Sequence, residues 1–280
     1  MADALSPGQA ASSRAGSPAG VGALHVLKDA ESVSRAGADQ FLQRAEAALG
    51  QGGRFRVALA GGSTPRRLYE LLAVPSQDAR VDWSRVDFFW GDERAVPPDH
   101  PDSNYRMACE AWLATLAPAP ERLHRMEGER ADLAAAARSY QHEIAASFGV
   151  DPDGAPPVFD LVLLGLGADA HTASLFPGSP ALTEERAWVL ANPVPKLGTE
   201  RLTLTAPLLN RAAAVIFLVA GSDKDSALAT VLEGPFEPCG HPAQLIRPDP
   251  GELVWLVDLP AAAGLPEYAT RQRGEEARCP

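Results

Sequence analysis

The chain has 280 residues, of which 46% are hydrophobic, so it contains enough apolar material for a sizeable core. Its formal net charge of -11 argues against non-specific binding to nucleic acid or to an anionic membrane, which requires a basic face. No segment has the ~18 uninterrupted apolar residues of a membrane-spanning helix. The three cysteines include no CxxC pair, which excludes a disulfide framework or a zinc site. We therefore expect a protein of the reducing cytoplasm.

Strands and helices alternate along most of the chain. Residues 1–20 are rich in Ala, Ser, Gly and Pro and lack an apolar segment, so we expect a disordered N-terminal tail rather than a signal peptide. In chain order the pattern then predicts a strand at 24–27, a helix at 29–49, a strand at 54–60, a helix at 66–72, a strand at 86–90, helices at 104–116 and 131–148, a strand at 159–166, strand-like segments at 188–192 and 201–205, a strand at 213–221, a helix at 222–232 and a strand at 252–258.

Continuous apolar strands separated by helices are typical of a mainly parallel sheet that is covered on both faces. No change in composition marks a linker between two domains. The sequence therefore predicts one α/β domain over residues 21–260, followed by a solvated C-terminal tail over residues 261–280.

Polar loops follow four of the predicted strands at their carboxyl ends. They are GGSTP at 61–65, GDER at 91–94, GADAH at 167–171 and GSDK at 221–224. The carboxyl ends of parallel strands meet at one edge of a sheet, which is where ligands bind in such folds. We therefore expect these loops to converge on one site.

The GGSTP loop has two interpretations. It is either an ordinary strand-to-helix turn, or an anion site in which Gly61, Gly62, Ser63 and Thr64 present backbone N–H groups at a helix N-terminus. The loop is neither a Walker motif nor GxGxxG, so it does not indicate a nucleotide.

Two cations in the other loops are candidates for binding an anion. Lys224 lies in the first turn of a predicted helix, where the helix dipole disfavours a cation, so it requires a partner. That partner is either a neighbouring aspartate or a bound phosphate. Asp92, Glu93 and Arg94 form either a surface ion cluster or a loop in which Arg94 points inward as a planar fork for phosphate or carboxylate.

Asp169 and His171 follow the most apolar strand. An aspartate can orient an imidazole that acts as a general base, and such a base works best with a pKa near the operating pH of about 7. A metal site is disfavoured, because His171 has no second ligand at metal spacing and His142–Glu143 lacks the second histidine of HExxH. A serine nucleophile is disfavoured because GxSxG is absent.

Five ordered blocks carry a family resemblance: ALAGGSTP, FFWGDERAVPPDHPDSNYRMA, FDLVLLGLGADAHTASLFPG, PKLGTERLTLT and VAGSDKDSAL. Together they resemble the 6-phosphogluconolactonase family, over roughly residues 24–256. The resemblance implies a Rossmann-like three-layer α/β/α fold. It also implies hydrolysis of 6-phospho-D-glucono-1,5-lactone to 6-phosphogluconate in the oxidative pentose phosphate pathway, without a metal or organic cofactor, by a protein that is often monomeric.

The resemblance also implies roles for individual residues. His171 matches the proposed general base that activates water, and Asp169 matches its partner. Gly61, Gly62, Ser63 and Thr64 match the phosphate-side loop, and Arg94, Lys196, Arg201 and Lys224 match basic positions around the substrate. The family usually has glycine where this chain has Ala170. If that position has a positive φ, alanine costs about 1 kcal/mol there.

Two alternative functions remain open at this stage. Glucosamine-6-phosphate deaminases share the glycine-rich loop and the Asp-Gly-His element, but they typically carry a carboxylate five residues after the histidine, where this chain has Phe176. A non-catalytic sugar-phosphate sensor is the second alternative. Its DNA-binding form would require a helix-turn-helix and a basic face, which the tails do not supply.

Overall fold

A computed structural model describes residues 22–74 and 80–266. Within this part of the chain, seven parallel strands form one sheet in the order β1–β10–β9–β6–β2–β3–β5. The strands are β1 (Ala23–Leu27), β2 (Phe55–Leu59), β3 (Val86–Trp90), β5 (Leu123–His124), β6 (Leu161–Gly165), β9 (Ala214–Val219) and β10 (Glu252–Asp258).

Helices cover both faces of this sheet. They are α1 (Ala30–Gly50), α2 (Ser63–Leu72), α3 (Asn104–Ala108), α4 (Ala114–Leu116), α5 (Leu133–Phe148), α6 (Ala206–Leu209), α7 (Asp225–Glu233) and α8 (Leu259–Ala262), with a π-helical segment Cys109–Leu113 between α3 and α4. Side chains alternate between the faces of a strand. Val57 and Leu59 therefore pack with the α1–α2 layer, whereas Ala58 packs with the α5–α7 layer. The predicted three-layer α/β/α fold is confirmed.

A second, antiparallel sheet of three strands lies beside the main one, in the order β4–β8–β7 among the described residues. Its strands are β4 (Asp92–Arg94), β7 (Val189–Val194) and β8 (Thr199–Leu204). The sequence predicted β7 and β8 but not β4, because three polar residues after Gly91 carry no hydrophobic alternation. The β4–β8 pairing places Arg94 directly opposite Arg201.

The order of the strands explains where the polar loops lie. Strands β9, β6, β2 and β3 are consecutive neighbours in the sheet, and each is followed by one of the four loops. All four loops therefore lie at one edge, as predicted.

The packed part of the chain extends beyond residue 260, where the C-terminal tail was predicted to begin. Ala261, Ala262 and Leu265 are buried against the α5–α7 side of the sheet. The predicted N-terminal tail and the remainder of the C-terminal tail lie outside the described residues. Over the ranges 22–74 and 80–266, no helix is both long enough and apolar enough to cross a bilayer.

Candidate active site

A cleft of about 470 Å³ opens at the carboxyl edge of the sheet. All four polar loops contribute to its walls, together with residues of β8 and of the turn between β7 and β8. Nine of the ten residues predicted for the site line this cleft: Gly61, Gly62, Ser63, Thr64, Arg94, His171, Lys196, Arg201 and Lys224. The tenth, Asp169, contacts the His171 imidazole.

The turn after β6 holds the imidazole in place. The Gly167 N–H donates to the His171 carbonyl at 2.9 Å and closes the turn. His171 Nδ1 donates to one carboxylate oxygen of Asp169, and Lys196 Nζ donates to the other. With Nδ1 engaged, Nε2 is the ring nitrogen available to a ligand in the cleft.

Ala170, which replaces the family's usual glycine, has a positive φ of 61°. The left-handed conformation costs alanine about 1 kcal/mol. The residue is buried, however, and burying its methyl group recovers about 0.8 kcal/mol. Its N–H donates to the Gly167 carbonyl at 2.9 Å, and its own carbonyl accepts from Ala243 N–H at 3.0 Å. The turn therefore accommodates alanine.

The pKa of His171 is lowered to about 4, below the value near 7 at which a general base works best at neutral pH. Burial is the main cause, because it disfavours the charged imidazolium, and the cations Lys224, Arg201 and Arg94 lower the pKa further. Asp92 acts in the opposite direction. The imidazole of the free protein is therefore neutral at pH 7 and able to accept a proton.

This shift predicts the titration of His171. A histidine with a lowered pKa stays neutral as the pH falls through 6.5 and becomes protonated only near 4. We expect the His171 ring signals in an NMR titration of the free protein to show a midpoint of about 4, with the signals assigned by their loss in His171→Ala. A midpoint near the ordinary value of about 6.5 would contradict the described burial.

The N-terminus of α2 forms part of the cleft wall. Gly62, the residue that precedes α2, has a φ of 102°, and no side chain caps the helix there. Ser63 and Thr64 form the first turn and line the cleft. Uncapped N–H groups and the positive end of a helix dipole suit an anion.

Two arginines face each other across the β4–β8 pair. Arg94 donates through Nη1 to the Asp102 carbonyl at 2.6 Å. Arg201 Nε is buried and has no hydrogen-bond partner within the described residues. Burial lowers the pKa of Arg201, and the neighbouring Arg94 lowers it further. Because like charges opposite each other are destabilising, this pair suits an anionic ligand.

Asp92 and Glu93 are buried, so the interpretation of GDER as a surface ion cluster was wrong. Glu93 accepts from the N–H groups of Arg94, Asn104 and Tyr105 at 2.7–2.8 Å, and these bonds tie the loop to the start of α3. Burial raises the pKa of Glu93, although these hydrogen bonds act to lower it. The loop is thus a rigid part of the cleft wall.

Both lysines of the site already have protein partners. Lys224 Nζ pairs with Asp223 at 2.8 Å. Of the two partners that the sequence analysis considered for Lys224, the neighbouring aspartate is therefore present. That aspartate is exposed, and an exposed ion pair is weak. Lys196 pairs with Asp169. Both lysines nevertheless line the cleft.

The cleft also contains residues that were not predicted for the site, among them the polar Asn104 and Ser174 and the aromatic Phe176. Ser174 Oγ donates to Asp92 at 2.6 Å, and Asn104 Nδ2 donates to the same carboxylate at 3.2 Å. Asn104 lies at the start of a predicted helix, where its side chain carried no separate signal. Phe176 was noted only because it is not acidic.

In residues 22–74 and 80–266, no group of three or more His, Cys, Asp or Glu side chains could hold a metal ion.

Comparison with known proteins adds independent evidence. Residues 28–255 match the family model described as glucosamine-6-phosphate isomerases/6-phosphogluconolactonase. The chain is 46% identical to a 6-phosphogluconolactonase of Synechocystis sp. over 219 residues, which cover 78% of this chain and 88% of the relative. It is 41% identical to a 6-phosphogluconolactonase of Nostoc sp. over 243 residues, covering 86% and 98% of the two chains.

The chain belongs to the glucosamine-6-phosphate isomerase/6-phosphogluconolactonase family. A solved structure, that of 6-phosphogluconolactonase from Trypanosoma cruzi, superposes with a TM-score of 0.77 at 31% identity, covering 87% of this chain and 96% of the other. In this member of the family, the buried Phe176 stands five residues after His171, against the imidazole.

Proposed function

We propose that this chain hydrolyses 6-phospho-D-glucono-1,5-lactone to 6-phospho-D-gluconate, a step of the oxidative pentose phosphate pathway. One observation carries the proposal: a neutral imidazole held by Asp169 shares a single cleft with Arg94, Arg201, Lys224 and the α2 N-terminus. The names of the relatives support the same substrate.

The phosphate of the substrate is held at the cationic end of the cleft. The N–H groups at the α2 N-terminus and the side chains of Arg94, Arg201 and Lys224 supply donors and positive charge there. A bound phosphate relieves the repulsion between the two arginines. Anchoring this distant group orients the lactone carbonyl towards His171.

His171 acts as the general base. Nε2 removes a proton from a water molecule as the water oxygen attacks the lactone carbonyl carbon, which forms a C–O bond and a tetrahedral oxyanion. The cations that line the cleft stabilise the negative charge of the oxyanion. When the oxyanion collapses, the bond between the carbonyl carbon and the ring oxygen breaks, and the imidazolium returns its proton to the ring oxygen. Asp169 keeps Nδ1–H in place throughout.

The direct test follows the decay of freshly generated lactone. We expect the wild-type chain to accelerate hydrolysis of the phosphorylated lactone strongly over the uncatalysed background, and to act much less on unphosphorylated glucono-1,5-lactone. No acceleration by a folded chain would contradict the proposal and make glucosamine-6-phosphate the next substrate to test. The buried Phe176 disfavours that alternative, since it leaves no carboxylate at this position.

Lys224→Ala should mainly weaken substrate binding. A charge-assisted hydrogen bond contributes about 1.5–3 kcal/mol, so we expect KM to rise about 10- to 100-fold with kcat nearly unchanged. Steady-state kinetics on the phosphorylated lactone measures this. Lys28→Ala is the matched control, because Lys28 is not among the residues that line the cleft. An unchanged KM in Lys224→Ala would place the phosphate elsewhere in the cleft.

We also propose that the chain acts as a monomer in the cytoplasm. The sparse cysteines support the cytoplasmic location, and Cys109 and Cys239 are free thiols in the described structure. The resemblance to a family that is often monomeric supports the monomer. Size-exclusion chromatography with light scattering tests the monomer.

A further inference from the structure

The candidate base His171 and three neighbouring side chains, Asp169, Phe176 and Lys196, form one contact group, here called the Asp169 cluster. The Asp169 carboxylate accepts from His171 on one oxygen and from Lys196 on the other. The Phe176 ring contacts both the His171 imidazole and the Lys196 ammonium. Its centroid lies 4.3 Å from that of the imidazole, with the planes 26° apart, and Lys196 Nζ lies 4.8 Å from the same centroid.

We propose that Phe176 is a positioning residue that holds both the His171 imidazole and the Lys196 ammonium against Asp169. This inference rests on the proposed function, in which His171 is the base. It assigns to the ring a task that the proposed mechanism does not otherwise contain.

The ring is well placed for this task because its own position is fixed. Phe176 is only 7% exposed, although it lines the cleft. Its carbonyl accepts from Ser179 N–H at 3.1 Å, and the Leu175 N–H before it donates to the Thr172 carbonyl at 2.9 Å. Two residues later, Gly178 N–H donates to the Cys239 carbonyl at 2.9 Å. A side chain on so constrained a turn can act as a fixed wall.

The contacts of the ring suit both partners. A stacked aromatic ring covers one face of the imidazole, which restricts its rotation and keeps water from it. A cation above an aromatic face is attracted to the ring quadrupole. The bond between Asp169 and His171 sets which ring nitrogen faces the ligand, whereas the stack sets the plane of the imidazole. Loss of the ring would leave His171 held through Nδ1 alone.

Phe176→Leu tests the proposal, since leucine keeps apolar volume but removes the ring. We expect kcat to fall about tenfold with KM changed less than about twofold, because the base is misplaced while the phosphate site is intact. We also expect the NMR titration midpoint of His171 to rise from about 4 towards its ordinary value, because its ring gains water. The substitution removes none of the charged groups that face the imidazole: Asp169, Asp92, Lys196, Lys224, Arg201 and Arg94.

Two further variants separate positioning from general packing. Phe176→Tyr keeps the ring and should retain both the wild-type kcat and the wild-type midpoint. Phe159→Leu makes the same change at another buried position, in the core beside Phe89 and Phe148, and should lower Tm without moving the His171 midpoint.

A folded Phe176→Leu variant with wild-type kcat and wild-type midpoint would overturn the proposal. If that variant does not fold, Phe176→Met gives the same comparison, because methionine fills the volume without a ring. The titration does not depend on turnover. A chain that failed to hydrolyse the lactone would contradict the proposed function, whereas the shift in midpoint would still decide whether Phe176 positions His171.

Discussion

His171→Ala is expected to lower kcat for 6-phospho-D-glucono-1,5-lactone by about 10³-fold, because a positioned general base contributes about 10²- to 10⁴-fold. The substrate should still bind with nearly unchanged affinity, since Arg94, Arg201 and Lys224 lie outside the deleted side chain and still line the cleft. Stopped-flow or coupled measurement of lactone decay gives kcat, and titration with 6-phosphogluconate gives the affinity.

His142→Ala is the matched control for this variant. His142 lies on α5 and contacts only the Arg138 carbonyl, at 2.8 Å, among the contacts described for its ring. It should show wild-type kinetics. Wild-type turnover in His171→Ala would keep the reaction but assign the base to another group. A loss of affinity equal to the loss of kcat would show that the imidazole mainly binds substrate.

Gly167→Ala is expected to have the second largest effect, although it adds only one methyl group. A Cβ at Gly167 would overlap Nδ1 and Cε1 of His171 and lie 2.7 Å from the Asp169 carboxylate. The imidazole must therefore move. A displacement of about 1 Å at a reacting group costs about 100-fold in rate, and we expect that loss in kcat, with a smaller change in KM.

Gly50→Ala provides the control for an added methyl group. A Cβ at Gly50 meets no atom within 4 Å, and Gly50 is not among the residues that line the cleft, so this variant should retain activity. The structural readout is the His171 ring signal, which should shift in Gly167→Ala and remain in place in Gly50→Ala. If Gly167→Ala keeps wild-type kcat, the imidazole tolerates displacement and the described geometry is not the active one.

Much of the site could be predicted because its residues follow buried strands. The buried strands are recognisable as continuous apolar segments, and the polar loops follow them directly in the sequence. Seven of the predicted residues line the cleft for this reason: Gly61, Gly62, Ser63, Thr64, Arg94, His171 and Lys224. Asp169 lies beside His171, two positions away in the chain. Lys196 and Arg201 required the family resemblance, because the hairpin that carries them has no glycine-rich or capping signal of its own.

Some properties could not be predicted because they depend on what surrounds a residue. Asp92 and Glu93 have the composition of a surface loop, yet β4 pairs with β8 and α3 covers them, so both are buried. The pKa of His171 is lowered to about 4 because burial and cations from other loops act on the ring, and none of these contacts is local in the sequence.

The sequence by itself determined the α/β class, the edge of the sheet at which the cleft lies and the pairing of Asp169 with His171 at that edge. These follow from local composition and from the geometry of parallel strands. Only the tertiary structure decided the protonation of His171, the opposition of Arg94 and Arg201, and the stacking of Phe176 on the imidazole. Each of these arises from contacts between segments far apart in the chain or from a turn whose shape the chain order does not specify.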